Sequence, residues 1–247
     1  MSRMQDNTKS KYADLKPLAV LAAGMTGADI ERLVRELRGR CRRQGVPLTW
    51  TALQKALLTG SNLPHSSVAL PIAVHEIGHA IAYEELGVGT VETVRIGGQH
   101  GGETRTRLHV DVVQSEQGAM KLIGCLLAGR VAEMLIFGSA LIGAGGADDS
   151  DLARATELTL KLETAFGTGE DMPLLYRPPA NTAETLNYNP VLAAHVNSRL
   201  EVAETIARDL LANFPMLLAK LAARLAEQVV LEGEELRREI AAAKAGN

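Results

Sequence analysis

The run His75-Glu76-Ile77-Gly78-His79 constrains this chain more than any other five residues in it. The pattern H-E-x-x-H works only on a helix, where four residues turn roughly 400° and rise about 6 Å. His75 and His79 then stand one above the other on one face. Two imidazole nitrogens so placed can share one tetrahedral zinc ion. Glu76 lies one residue round from His75, within reach of a water that zinc would acidify toward a pKa of about 7. These parts suit peptide-bond hydrolysis, with Glu76 as the base. The ordinary alternative is a pair of core histidines beside an exposed glutamate.

The neighbouring residues predict the helix that the motif needs. Ser66 and Ser67 offer N-caps, and Pro71 is tolerable only near a helix start. Val74, Ile77, Ile81 and the stretch from Tyr83 to Leu86 continue an apolar-biased run. Gly87 and Gly89 punctuate its end. The expected span is 68–86.

Length and composition narrow the class. A chain of 247 residues can bury a sizeable core, or two small ones. A net charge of -3 gives no nucleic-acid signature, and 3% aromatics argue against stacking platforms for single strands. Cys41 and Cys125 share no metal-type spacing and read as small buried hydrophobes in a reducing compartment. No run reaches the ~18 apolar residues of a membrane span, and the polar N-terminus has no signal-peptide core. The expectation is a soluble, cytoplasmic chain, or one at the cytoplasmic face of a membrane if it belongs to a longer anchored protein.

Along the chain, residues 1–16 read as disordered. Thr26-Gly27-Ala28-Asp29 has the spacing of a capping box, and Ile30, Leu33, Val34 and Leu37 follow at helical spacing. Arg32, Arg35, Arg38, Arg40, Arg42 and Arg43 give that helix a basic face, read as a solvated surface rather than a docking site. Gly45 and Pro47 stop it, and Thr49 or Thr51 caps a second helix through about Leu58. A Gly/Ser/Pro linker over 59–67 marks a domain boundary. Val91 to Ile96 and Arg105 to Val113 alternate as strands around a glycine-rich hairpin tip that includes Gly97 and Gly102. Ser115 to Phe137 is a helix with Leu122, Leu126, Val131 and Leu135 toward a core. A further helix runs from near Ser150 to Phe166, and 167–189 is irregular. Helices from Pro190 to Asn213, Pro215 to Val230 and Gly233 to Lys244 complete the chain. The expected fold is mainly α, with a small antiparallel sheet beside the motif helix.

Two histidines leave a catalytic zinc one protein ligand short. His65, His100, His109 and His195 have no supporting motif and read as surface or loop residues. Asp148, Asp149 and Asp151 cluster just ahead of a helix, where aspartate is also a favoured cap. Spacing alone does not choose among them.

His75 to Ala80, then Gly129-Arg130-Val131-Ala132-Glu133 with Ile136-Phe137-Gly138, then Asp151-Leu152-Ala153-Arg154-Ala155-Thr156, resemble the peptidase domain of FtsH-type ATP-dependent zinc metalloproteases. The resemblance implies zinc held by His75, His79 and Asp151, Glu76 as base, and Glu133 close behind the ligands. It extends to Leu231-Glu232-Gly233-Glu234-Glu235-Leu236, which looks like the family's final helix start. Upstream, Met25 to Ile30 and Leu48 to Leu57 are similar to the last helices of an AAA ATPase lid. The implied layout is a lid-like segment over 17–60 and a zinc peptidase domain over 61–247. Implied partners are unfolded protein substrates, other copies in a hexameric ring, and an ATPase module in cis or in trans.

The sequence departs from the pattern in three places. It holds no G-x-x-x-x-G-K-[ST] phosphate loop, so ATP hydrolysis by that route is not expected. The loop ahead of Asp151 is one residue longer than the family's, and 167–189 follows the family poorly. The alternative function is a non-catalytic ring-forming or adaptor module that keeps the fold. Retention of both histidines and Glu76 argues against it. The strand around Arg105 to Val110 is expected to hold substrate by strand addition.

Overall fold

The motif helix is the centre of the fold, packed against the sheet and against several of the later helices. The structure, a computed structural model, describes residues 15–22, 25–60, 66–97, 101–141 and 146–246. Three helices come first: α1 (Lys16–Leu21), α2 (Gly27–Gln44) and α3 (Trp50–Gly60). The capping box at the start of α2 forms as its sequence predicts. Asp29 N–H donates to Thr26 Oγ1 at 3.2 Å, and Thr26 N–H donates to Asp29 Oδ2 at 3.2 Å. Gly45, at φ 68°, closes α2 in the left-handed region. Thr49 Oγ1 accepts from Ala52 N–H at 3.2 Å, capping α3. Both α3 and β3, defined below, touch α1, so the short first helix ties this segment to the body.

The motif helix is α4 (Ser66–Glu85), followed by β1 (Gly89–Ile96) and β2 (Gly102–Leu108). Pro71 lies inside α4, in its second turn, so the helix gives up the bond that an N–H there would make to the Ser67 carbonyl. Gly87, at φ 68°, lets the chain turn straight into β1. A short helix α5 (Val110–Val113) then leads to α6 (Glu116–Phe137), α7 (Asp151–Thr164) and α8 (Thr182–Asn187). The chain ends in α9 (Pro190–Leu211), α10 (Pro215–Gln228), β3 (Val230–Glu232) and α11 (Gly233–Ala245). The sheet order is β2-β1-β3, with both pairings antiparallel and a register shift between Val91 and Thr93.

One face of α4 packs on α6 and α10, and another lies on β1. Ile77, Ile81, Val131, Leu218, Leu221 and Val94 are fully buried at these contacts. The α4–α6 approach is set by Gly78. A Cβ there would lie 2.5 Å from Ala132 Cβ and 2.7 Å from the Ala128 carbonyl oxygen, so only glycine permits this separation. A smaller cluster around Ile123, Leu162 and Ala203 joins α6, α7 and α9. Cys41 and Cys125 are both buried and unpaired.

Several expectations need correction. The strand predicted to run to Val113 stops at Leu108, and Val110–Val113 is helical. The apolar run Val110-Asp111-Val112-Val113 is followed at once by the Ser115 cap of α6, which leaves no room for a strand partner. Leu135 is 39% exposed rather than core, while Leu126 and Val131 are buried. Lys16, read as disordered, begins α1, and residues 1–14 lie outside the described residues. The helix expected to reach Val230 stops at Gln228, and β3 was not foreseen. The stretch 167–189 contains the short helix α8.

Candidate metal centre

Three elements converge on one point. The midpoint of α4 supplies His75, Glu76 and His79, the first residue of α7 supplies Asp151, and α6 passes behind the histidines. Asp151 is fixed because Ser150 caps α7, its Oγ accepting from Ala153 N–H at 3.3 Å. His75 Nε2 and His79 Nε2 are 3.0 Å apart, and Asp151 Oδ2 lies 3.2 Å from the first and 3.1 Å from the second. Donor atoms bound to one zinc at tetrahedral angles lie about 3.3 Å apart.

The outer nitrogens settle the tautomers. His79 Nδ1 donates to the Cys125 carbonyl at 2.7 Å, and His75 Nδ1 donates to Glu133 Oε1 at 2.8 Å. With a proton on each Nδ1, both Nε2 atoms present lone pairs. Two imidazole lone pairs and a carboxylate oxygen then face one another within hydrogen-bond distance. Such a set attracts positive charge, a proton on His75 or a metal ion, and N,N,O donors of this kind suit zinc. Among the described residues, His75, His79 and Asp151 are the one group of this kind able to hold a metal.

Charge tells the same story. Burial pulls the His75 imidazole down, but hydrogen bonds to Asp151 and Glu133 outweigh it and drive the group up to about 10. Burial pushes the Asp151 carboxyl up, yet His79 and His75 hold it well below the usual carboxylate range. The centre therefore favours added positive charge. Burial raises the Glu76 carboxyl, opposed by His79 and by the Thr104 hydrogen bond. Glu133 is 3% exposed, and its second oxygen accepts from Leu141 N–H at 2.7 Å, so it is gripped from two sides.

Space is cleared by glycine. A Cβ on Gly129 of α6 would fall 2.5 Å from His79 Nε2 and 2.6 Å from His75 Nε2. A Cβ on Gly102 of β2 would fall 2.5 Å from Glu76 Oε1. Thr104, also on β2, donates its hydroxyl to Glu76 Oε2 at 2.7 Å. The centre opens into a cavity of about 750 Å³ whose wall includes Ile72, Tyr83, Arg95 and Arg154. Burial pushes the Tyr83 phenol well above its ordinary value, so it remains protonated at neutral pH.

The structure brings His75, Glu76, His79, Glu133 and Asp151 together, while Asp148 and Asp149 are exposed on the preceding turn. Asp149 reaches the cavity wall and no further. His109 is a structural residue, donating to the Gly87 carbonyl at 3.0 Å and accepting from Thr90 Oγ1 at 2.9 Å. His195 lies near Glu170 and Asp171, away from the centre. His65 and His100 fall outside the described residues. Sequence reasoning missed Thr104, a lone threonine in an alternating strand that gives no local signal. It also missed the task of Gly129, although the residue belongs to the Gly129–Glu133 run.

A helical fold with a histidine-carboxylate centre and a small sheet beside it is the arrangement of a metallopeptidase-type site. Residues 66–239 match Peptidase family M41. The ATP-dependent zinc metalloprotease FtsH of Pseudothermotoga lettingae is 29% identical over 250 residues, covering 91% of this chain and 39% of that protein. FtsH 1 of Symbiobacterium thermophilum is 32% identical over 242 residues, covering 92% of this chain and 39% of the relative. The YME1 homolog of Caenorhabditis elegans, also an ATP-dependent zinc metalloprotease, is 30% identical over 174 residues, covering 65% and 24%. The chain belongs to Peptidase family M41, with an FtsH-type peptidase domain. It spans about two fifths of the length of the bacterial relatives. No described helix is long and apolar enough to cross a membrane.

Proposed function

We propose that this chain is the proteolytic part of an ATP-dependent protease and cleaves unfolded or flexible proteins. His75, His79 and Asp151 hold the zinc, Glu76 is the general base, and Glu133 orients His75. The observation that carries this reading is the convergence of three lone-pair donors within 3.2 Å of one another, with both outer imidazole nitrogens already committed. When bound, zinc supplies Lewis acidity to a carbonyl oxygen and acidifies water at neutral pH. Glu76 accepts the water proton and returns it to the leaving amine, while Thr104 steadies the carboxylate. The outer edge of β2 receives an extended substrate, supported by the sheet order, in which β2 pairs among the described residues with β1 alone.

The relatives' names support a partnership with an ATPase, in cis or in trans. Residues 17–60 would then be the end of a lid and 61–247 the peptidase domain, assembled as a homo-hexamer at the cytoplasmic face of a membrane or in the cytoplasm. The non-catalytic adaptor alternative would not need Glu76, which sits 8% exposed against β2 with its carboxylate intact. Zinc analysis combined with casein degradation tests the reading. About one zinc per chain and chelator-sensitive cleavage are expected; a metal-free chain that cleaves equally well would overturn it.

A further inference from the structure

The cavity continues past the donor cluster along α4, and its wall there includes groups given no role above. Tyr83 stands one turn beyond His79. Seven residues separate it from Glu76, a net rotation of about 20° and a rise of about 10 Å. Glu76 therefore lies toward one end of the donor cluster and Tyr83 beyond the other, on nearly the same face. Helical side chains lean toward the helix N-terminus, which for Tyr83 is the direction of the donors. Tyr83 is 8% exposed and lines the same cavity as His75, His79 and Asp151. Its phenol stands within electrostatic range of Arg154, Asp151 and Glu76 across that cavity. A phenol that lines a cavity can donate its proton to a ligand held there. Beside it stands Arg154, one turn into α7, with Nη1 3.6 Å from Asp151 Oδ1 and the side chain 58% exposed.

We propose that the Tyr83 hydroxyl donates a hydrogen bond to the scissile carbonyl oxygen as negative charge develops there, with the Arg154 guanidinium adding positive field from the same wall. The proposal rests on the zinc-peptidase reading and deepens it. In the step, the water oxygen bonds to the carbonyl carbon, the C=O π pair moves onto oxygen, and one water proton passes to Glu76. Tyr83 keeps its own proton and shares it. On collapse the pair returns to re-form C=O, the C–N bond breaks with its electrons going to nitrogen, and the Glu76 proton follows them. The products are an amine and a carboxylic acid, which ionises to solvent. Base and oxyanion donor thus act from opposite ends of the donor cluster, each reaching a different atom of the same peptide group. A preorganised donor of this kind is worth about 10²–10³-fold in kcat.

The test is Tyr83→Phe in the 247-residue chain, because phenylalanine fills the same space and removes only the hydroxyl. Zinc content and melting temperature are expected to match wild type. Binding of a phosphinic peptide, whose anionic tetrahedral phosphorus mimics the attacked carbon, is measured by calorimetry without turnover. Its affinity should fall about 10²-fold, and kcat on a flexible peptide should fall by a like factor with KM nearly unchanged. Arg154→Gln should lower phosphinate affinity less. Unchanged phosphinate affinity and kcat in Tyr83→Phe would make Tyr83 a packing residue and overturn the inference. Loss of zinc or of thermal stability would overturn it too, since the hydroxyl would then act through the fold. If zinc-loaded wild type neither binds the phosphinate nor cleaves peptide, the peptidase reading fails and takes this one with it.

Discussion

Glu76 is held by a hydroxyl and a glycine gap rather than by a charge, and that arrangement decides what its replacement does. Glu76→Gln keeps the Thr104 bond, because the amide oxygen still accepts, but an amide cannot take a proton at neutral pH. Zinc content and melting temperature should be unchanged while casein cleavage falls about 10²–10⁴-fold; wild-type cleavage would remove Glu76 from the role of base. Among the aspartates, Asp151→Asn should cost more zinc than Asp148→Asn or Asp149→Asn, as read by zinc titration, since only Asp151 Oδ2 faces both imidazoles. The largest loss at Asp148 would show that the donor set is misassigned. Gly129→Ala puts a methyl where the two Nε2 atoms meet, on a helix that cannot retreat. It should weaken zinc binding about 10–100-fold by spreading the imidazoles, with helical content kept. Of these residues, the histidines and Glu76 are legible from the motif itself, because helical spacing alone sets them together. Asp151 needed the resemblance, since three aspartates within four residues look alike until the Ser150 cap fixes which one points inward.

At the scale of elements, the edge of β2 is the part of the site with a direct use for backbone. If substrate adds as a strand there, its main-chain donors matter at alternate positions. Peptides N-methylated at every second nitrogen should lose cleavage at least about 10-fold in one register and little in the other, as each lost bond costs about 0.5–1.5 kcal/mol. Equal tolerance of both registers would exclude strand addition. The helices α2 and α4 were legible because they carry their own punctuation: the Thr26–Asp29 box, Gly45 and Gly87. What local pattern could not reveal was β3. Three residues between two helices are too few to display a period of two, and their strand character exists only because Thr93, Val94 and Arg95 lie opposite. Gly233 makes that docking possible, since a Cβ there would stand 1.8 Å from the Val91 carbonyl oxygen. Val110–Val113 misled in the opposite sense: β-branched residues favour a strand, but the His109 N–H is already spent on the Val88 carbonyl at the end of the ladder.

For the whole molecule, the question is what a zinc centre can do without a source of force. The cavity of about 750 Å³ accepts a length of extended peptide, not a folded domain. A native domain is stable by about 5–15 kcal/mol, so its open population is minute. Cleavage by this chain should therefore follow that open population and nothing else. The proposed lid segment, residues 17–60, carries no G-x-x-x-x-G-K-[ST] phosphate loop, so ATP hydrolysis by that route is not expected of it. We expect the purified chain to degrade casein at a rate that ATP does not alter, and to trim a flexible tail from a tightly folded reporter while leaving its core intact. Destabilising the reporter by about 1.4 kcal/mol should raise core degradation about tenfold, since the open fraction rises by that factor while it remains small. Loss of the folded reporter on adding ATP, followed by its fluorescence, would show that the chain carries a motor of its own. A rate independent of reporter stability would show that cleavage does not wait for the open form.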